Sequence, residues 1–222
     1  MLNTPPTLIA NVRSNDSSLV SASGAVLRMP AFPSRYPDLR LQIGEDDRLV
    51  DLVRKGVDCV LRAGVLRDSS LIGRQIAAME QVTVASPAYL ERFGEPATLA
   101  DLDAHFAVDY VSSATGKPVP LEFTVDDAVV EVRMRSTISV TGADLYTGSA
   151  LAGAGLIQVP RYRIAGELAD GRLKVVLPAC PPPPMPVSVL YLHSRQLSPR
   201  VRIFVQWLDE VFRQVPYQVR RI

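Results

Sequence analysis

The stretch Glu45 to Gly64, EDDRLVDLVRKGVDCVLRAG, most constrains how this chain can fold, because it reads as a helix running directly into a buried strand. Asp46 is placed to cap the helix, and Glu45, Asp46 and Asp47 put negative charge at the positive end of its dipole. Leu49, Val50, Leu52 and Val53 share one apolar face at spacings of three and four. Gly56 supplies the left-handed residue that ends a helix, and Val57, Cys59, Val60 and Leu61 form an apolar run of strand length. The run stops at Arg62-Ala63-Gly64. Ligands in open α/β sheets bind beyond the carboxyl ends of strands, so these three residues are a candidate edge of a ligand site. Arg62 either pairs with an anionic ligand or simply ends the strand at the surface. Arg54 and Asp58 read as solvent or packing residues.

On the N-terminal side, Leu39, Leu41 and Ile43 alternate with Arg40 and Gln42, as a strand does. Leu39 to Leu61 is thus strand, helix, strand, for which a parallel pair with a right-handed crossover is expected. Thr7 to Val12 forms a further strand candidate, and Ser14 to Ser23 has the composition of a loop. A helix-like start at Ala25 to Leu27 is interrupted by Pro30, Pro33 and Pro37.

Beyond Gly64, Leu71 to Ile76 and Gln81 to Ala85 are predicted strands. Ser86-Pro87 then opens a helix to Phe93, with serine as cap and proline as first residue. Thr98 and Asp101 suggest a capping box for a short helix through Ala104. Strands are expected at Phe106 to Tyr110, Leu121 to Val125, Val129 to Arg135 and Thr137 to Val140, with Asp126-Asp127 as a solvated turn. Thr141 and Asp144 suit a second capping box, opening a helix rich in small residues. Leu156 to Val159, Leu173 to Leu177 and Val187 to Leu192 are strand candidates, Tyr162 to Leu168 a helical turn, and ACPPPPMP a stiff connector. Ser198-Pro199 repeats the device of Ser86-Pro87 ahead of a last helix, whose Val201, Phe204, Val205, Leu208 and Val211 share one face.

No catalytic pattern emerges. His105 and His193 stand apart from any cysteine cluster and read as surface or hinge residues, so no metal site is expected. Gly148-Ser149-Ala150 lacks the flanking glycines of a nucleophile elbow, and Gly116-Lys117 is followed by Pro118, which a phosphate loop does not allow. These readings point away from an enzyme and toward no catalytic residue and no cofactor. Binding chemistry remains: backbone N–H groups at the helix starts near Ser86 and Thr141 either receive an anion such as a carboxylate or serve only their own caps.

A formal net charge of +1 gives no global reason to bind nucleic acid or an acidic membrane. With no signal-peptide pattern and no apolar run long enough to span a bilayer, a cytoplasmic protein without membrane contact is expected, and its Cys59 and Cys180 as free thiols.

Taken in order, four blocks resemble the effector-binding domain of a LysR-type transcriptional regulator. They are YPDLRLQIGEDDRLVDLVRKGVDCVLRAG, QVTVASPAYLERFGEPATLADL, STISVTGADLYTGSALAGAGLIQVP and ELADGRLKVVLPACPPPPMPVSVLYLHSRQLSPRVRIFVQWLDEVF, over about Ser34 to Phe212. The resemblance implies an α/β, two-lobed, periplasmic-binding-protein-like fold of type 2, its lobes joined by two crossover strands. The first lobe would be residues 1–85 with 187–222, and the second 86–186. It further implies a small-molecule effector, a carboxylate being one class, held between the lobes by Arg62, Ala63 and Gly64, by Ser86, and by Thr141, Gly142 and Ala143. Ser21 and Ser23 would stand at the family's first-lobe helix start. The implied assembly is a homodimer, or a tetramer in a full-length protein. DNA would be bound only through a winged helix-turn-helix domain that this chain does not contain, which makes the chain look truncated or engineered. The family's first-lobe helix is expected to be broken here by Pro30 and Pro33. A free-standing solute-binding protein of the same fold is the alternative.

Overall fold

The computed structural model describes residues 7–13, 31–45, 57–64, 71–112, 115–192 and 198–214. The chain divides into two compact units, Met1–Ala78 with Pro186–Ile222, and Met79–Met185. It passes from the first unit to the second at residues 78–79 and returns at 185–186. The helix expected after Asp46, with Arg54, and His193 lie outside the described residues.

The first unit is built on strands β1 (Thr7–Arg13), β2 (Arg40–Glu45), β3 (Cys59–Ala63), β4 (Leu71–Met79) and β13 (Met185–Leu192), in the order β2-β1-β3-β13-β4. β2 and β3 share the sheet but are not direct neighbours, because β1 lies between them and pairs in parallel with both. The apolar pattern showed two parallel strands; it could not show that a third, 27 residues or more away in sequence, takes the position between them. The sheet therefore reverses its direction of growth at β1, which makes the carboxyl ends of β1 and β3 a topological switch point. β13 runs antiparallel to β3, with Val187 opposite Ala63 and Leu190 opposite Val60.

The helix Pro199–Phe212 buries Val201, Phe204, Val205, Leu208 and Val211, and adds Trp207 and Phe212 to that face. Each such side chain contributes roughly 1.5–3 kcal/mol when removed from water. Pro199 opens this helix, but the Ser198 side chain makes no cap bond and its Oγ is buried without a partner among the described residues. Only the proline half of the expected device operates here. Phe32 is fully buried and meets Phe204 edge-on at 5.6 Å and Trp207 at 5.2 Å. It belongs to a helix, Ala31–Arg35, that the prolines were expected to prevent. Pro33 is its third residue, where the N–H has no intrahelical acceptor anyway, so proline costs little there. Asp58 is buried and accepts from Arg200 at 2.8 Å, a packing role rather than a solvated one.

The second unit contains β5 (Gln81–Ala85), β6 (Phe106–Val111), β7 (Pro118–Val119), β8 (Leu121–Val125), β9 (Ala128–Val132), β10 (Arg135–Val140), β11 (Ile157–Pro160) and β12 (Lys174–Val176). They form the sheets β10-β6-β7 and β11-β5-β12 and the hairpin β8-β9. A parallel bridge between Ala107 and Leu156 connects the two three-stranded sheets. Leu156 N–H donates to Phe106 O at 2.9 Å and Val108 N–H to Leu156 O at 3.0 Å. Gly155 permits this approach, since a Cβ there would lie 2.7 Å from Phe106 O and 2.9 Å from Ala107 C. Asp126 and Asp127 both adopt positive φ, 49° and 61°, which suits the tight turn between β8 and β9.

Ser86 caps the helix Pro87–Phe93, its Oγ accepting from Tyr89 N–H at 3.4 Å. Asp101 accepts from Thr98 N–H at 2.8 Å and closes the expected capping box on a 3-10 helix, Leu99–Ala104. Tyr89 is fully buried; its hydroxyl accepts from Phe106 N–H at 2.8 Å and lies 3.1 Å from His105 Nδ1. His105 is therefore not a surface or hinge residue: at 3% exposure it packs into the second unit as the partner of Tyr89. Burial lowers its pKa below the ordinary 6.5, outweighing the nearby Asp101 carboxylate.

Gly155→Ala should lower the urea-unfolding free energy by about 1–3 kcal/mol, because the new methyl meets backbone that cannot rotate away. Neutral buried His105 adds stability that is complete above about pH 6.5 and is lost as pH falls toward its lower folded pKa, because the unfolded chain then binds the proton more readily. The melting temperature of the parent chain should drop more between pH 7 and pH 5 than that of His105→Gln, and equal drops would show that His105 does not carry the dependence.

Candidate functional site

Arg62 and Ala63 are the last residues of β3, so the strand runs through them instead of stopping before Arg62. Arg62 sits opposite Ser188 and Ala63 opposite Val187. Gly64 follows with φ 91°, a conformation that favours glycine, and its N–H donates to Pro186 O at 2.8 Å. Pro186 is where the chain re-enters the first unit. The three residues therefore lie at the end of this sheet that adjoins the returning chain, and at its switch point. Arg62 is half-buried and makes no ion pair with a described residue. Cys59, three residues back, is a free thiol that burial pushes up to about 12, which leaves it protonated and inert.

In the second unit the helix Ala143–Leu151 begins at Gly142, which is extended at φ −118° and ψ 142°, and no side chain caps its first N–H groups. The capping box expected from Thr141 and Asp144 does not form. The helix is capped one residue later than that box requires, at Gly142; Tyr110 Oη donates to Thr141 O at 3.0 Å, and the Asp144 carboxylate pairs with the Arg163 guanidinium at 2.5 Å. Arg163 is 5% exposed in its side chain, whereas Asp144 is 88% exposed. Arg163 Nε also donates to Thr147 Oγ1 at 3.2 Å, and Thr147 in turn donates to Ala143 O at 3.1 Å. A buried cation thus braces the positive end of the helix, and the exposed carboxylate is its electrostatic partner. Thr141 itself is exposed. Neither Arg163 nor Tyr110 was visible as a site residue in the sequence, since a residue in a 3-10 turn and one in a strand give no local sign of a long-range contact.

Ser86 lies elsewhere in this unit. β5 is antiparallel to β11, and β11 joins β6 in parallel, so the carboxyl end of β5 is at the amino end of β6. Val140 pairs with Tyr110 at the carboxyl end of β6, and Thr141 follows it. Ser86 and Thr141 are consequently at opposite ends of the sheet, offset along the strand direction by about five residues or ~17 Å. Ser86 is buried, and its hydroxyl is used by the helix cap. Thr141 is at the Gln81 end of β5, the end at which the chain enters the unit. The structure thus groups Thr141, Gly142 and Ala143 at the crossover end of the second unit, groups Arg62, Ala63 and Gly64 at that of the first, and leaves Ser86 out. Ser21 and Ser23 lie outside the described residues.

A partly open cavity of about 230 Å³ lies on the second unit between β6, β7 and the hairpin, with Asp109, Leu121, Val132 and Arg133 in its walls. None of the candidate residues lines it. Among the described residues no group of three or more His, Cys, Asp or Glu could hold a metal ion, and no helix is long and apolar enough to cross a membrane.

The chain resembles known proteins over most of its length. The family model described as the LysR substrate binding domain matches residues 17–213. YhjC of Escherichia coli K12, an HTH-type transcriptional regulator, is 35% identical over 187 residues, covering 84% of this chain and 62% of that protein. An HTH-type transcriptional repressor of Pseudomonas aeruginosa UCBPP-PA14 is 32% identical over 189 residues, covering 85% of this chain and 60% of that protein. The chain thus spans about three fifths of these curated relatives. Among solved structures, the regulatory domain of CrgA from Neisseria meningitidis superposes with a TM-score of 0.74 at 21% identity, over 92% of this chain and 97% of that one. Full-length AphB of Vibrio cholerae gives 0.73 at 23% identity, over 94% of this chain and 69% of that one. These likenesses show the fold, which is periplasmic-binding-protein-like of type 2. With its match spanning residues 17–213, this chain belongs to the LysR substrate binding domain family.

Proposed function

We propose that this chain is the effector-sensing domain of a LysR-type transcriptional regulator. The effector is a small molecule, a carboxylate by chemical class. Arg62, Ala63 and Gly64 form its contacts on the first unit, and Thr141, Gly142 and Ala143 those on the second. The observation that carries this reading is that each group stands at the end of its own unit where the chain crosses to the other. Two anion-favouring features support the ligand class: the half-buried Arg62 and a helix start whose first N–H groups no side chain occupies. Ser86 drops out of the proposed site because its hydroxyl serves a cap at the far end of the sheet.

That the relatives are helix-turn-helix regulators favours a sensor over a free-standing solute-binding protein. In a full-length protein, a separate helix-turn-helix domain makes the DNA contact, and the effector acts by binding two states of the protein with different affinity. Such a site binds and releases its ligand without turnover.

A thermal-shift screen of small carboxylates, aromatic acids and amino acids should yield at least one stabilising ligand. Against that ligand, Thr141→Val should weaken binding about fivefold by calorimetry, the worth of one hydrogen bond, while changing stability by less than about 0.5 kcal/mol. Arg62→Ala should weaken it by about 10- to 100-fold, as expected for a charge-assisted contact. Affinity unchanged in both variants would remove this site.

A further inference from the structure

The hairpin β8-β9 has one edge covered and the other open. On β8, Glu122 N–H donates to Gln158 Oε1 at 2.8 Å and Gln158 Nε2 donates to Glu122 O at 2.8 Å. Thr124 N–H donates to Pro181 O at 2.9 Å. Glu122 and Thr124 therefore turn their main-chain groups away from β9. In an antiparallel ladder these positions alternate, so the bonds joining the two strands run through the pairs Leu121 with Val132, Phe123 with Val130 and Val125 with Ala128. The groups that β9 turns outward are those of Val129 and Glu131, and no described residue pairs with them. Val129 is 55% and Val130 41% exposed. Edge strands are commonly protected by lysine, proline or a bulge, and Ala128–Val132, AVVEV, has no lysine, proline or register break.

The geometry points to β9 as a self-pairing edge: two copies of this chain join β9 to β9, antiparallel about a twofold axis at Val130, into one four-stranded sheet. Among the three registers centred on Val129, Val130 and Glu131, charge favours the one at Val130. An axis at Val129 would set Asp127 opposite Glu131, and an axis at Glu131 would set two glutamates face to face; both are repulsive. With the axis at Val130, the outward-turned Val129 and Glu131 exchange main-chain bonds, Val130 meets its own copy, and Asp127 of the turn stands opposite Arg133. The symmetry gives that last contact twice, as a self-complementary interface requires. No residue of the proposed effector site takes part, so either reading can fail without the other.

The 222-residue chain is tested by crosslinking and sedimentation. Opposed Cα atoms at a non-hydrogen-bonded pair are ~4.5 Å apart, within disulfide range, so mild oxidation of Val130→Cys should give a covalent dimer. Val119→Cys, 45% exposed on β7, is the control and should crosslink at least about fivefold less. In sedimentation velocity, R133D should raise the dimer dissociation constant about tenfold, and the charge-swapped D127R/R133D should restore it. Circular dichroism of each variant verifies that it is folded. A chain monomeric at every concentration, equal crosslinking of the two cysteine variants, or a dissociation constant that R133D leaves unchanged would overturn the assignment.

Discussion

The close approach of Gly155 to the backbone of Phe106 and Ala107 is the contact on which the second unit depends. It lets Leu156 bond on both sides of Ala107 and so joins β11 to β6, the only link by which the β5 sheet and the β10 sheet are fixed in direction among the described pairings. Everything said of the candidate residues in that unit follows from this alignment. Because β6 and β10 are parallel and β5 runs against them, Thr141 emerges where the chain enters the unit and Ser86 emerges at the other end. A bulkier residue at 155 would disturb the relation between those two ends before it disturbed any side chain in the site.

The start of the helix at Ala143 shows how competing partners set local chemistry. Asp144 has the residue type and position of an N-terminal cap partner, yet a guanidinium two elements later draws its carboxylate away. With Asp144 in solvent, its pair with the buried Arg163 is worth about 1 kcal/mol. That is comparable to the gain from one side-chain cap, so small changes in surroundings decide which forms. The outcome leaves the first N–H groups of the helix without a side-chain partner and sets a buried cation beneath them. The open N–H groups favour an anion there, while Asp144 offsets the charge of Arg163.

Much of the architecture was legible in the residues themselves. The apolar alternations at Leu39 to Ile43, Gln81 to Ala85 and Phe106 to Tyr110 are strands, and the face of the last helix read from Val201 to Val211 is the buried one. Local chemistry was less reliable where a feature had two readings of similar energy. Pro33 breaks a helix interior but is tolerated in a first turn, and which applies depends on Phe32 having an aromatic cluster to enter. Ser86 and Ser198 precede proline alike, yet only Ser86 finds its cap bond. His105 has no local mark of burial; its partner Tyr89 is 16 residues away, and the hydroxyl that they share also serves the Phe106 amide.

The sequence by itself determined most of the described strands, the buried face of the last helix and, through the order of four blocks, the family, because each rests on periodicity or local pattern along the chain. It also determined Arg62 to Gly64 as the end of a strand, give or take two residues. Only the tertiary structure decided that β1 lies between β2 and β3, that Thr141 and Ser86 are at opposite ends of one sheet, and that β9 keeps an open edge. Strand order and direction depend on main-chain hydrogen bonds between distant segments, which every residue but proline can make alike. The sequence therefore has no letter for them, and they are fixed only when the side chains of many elements are buried together.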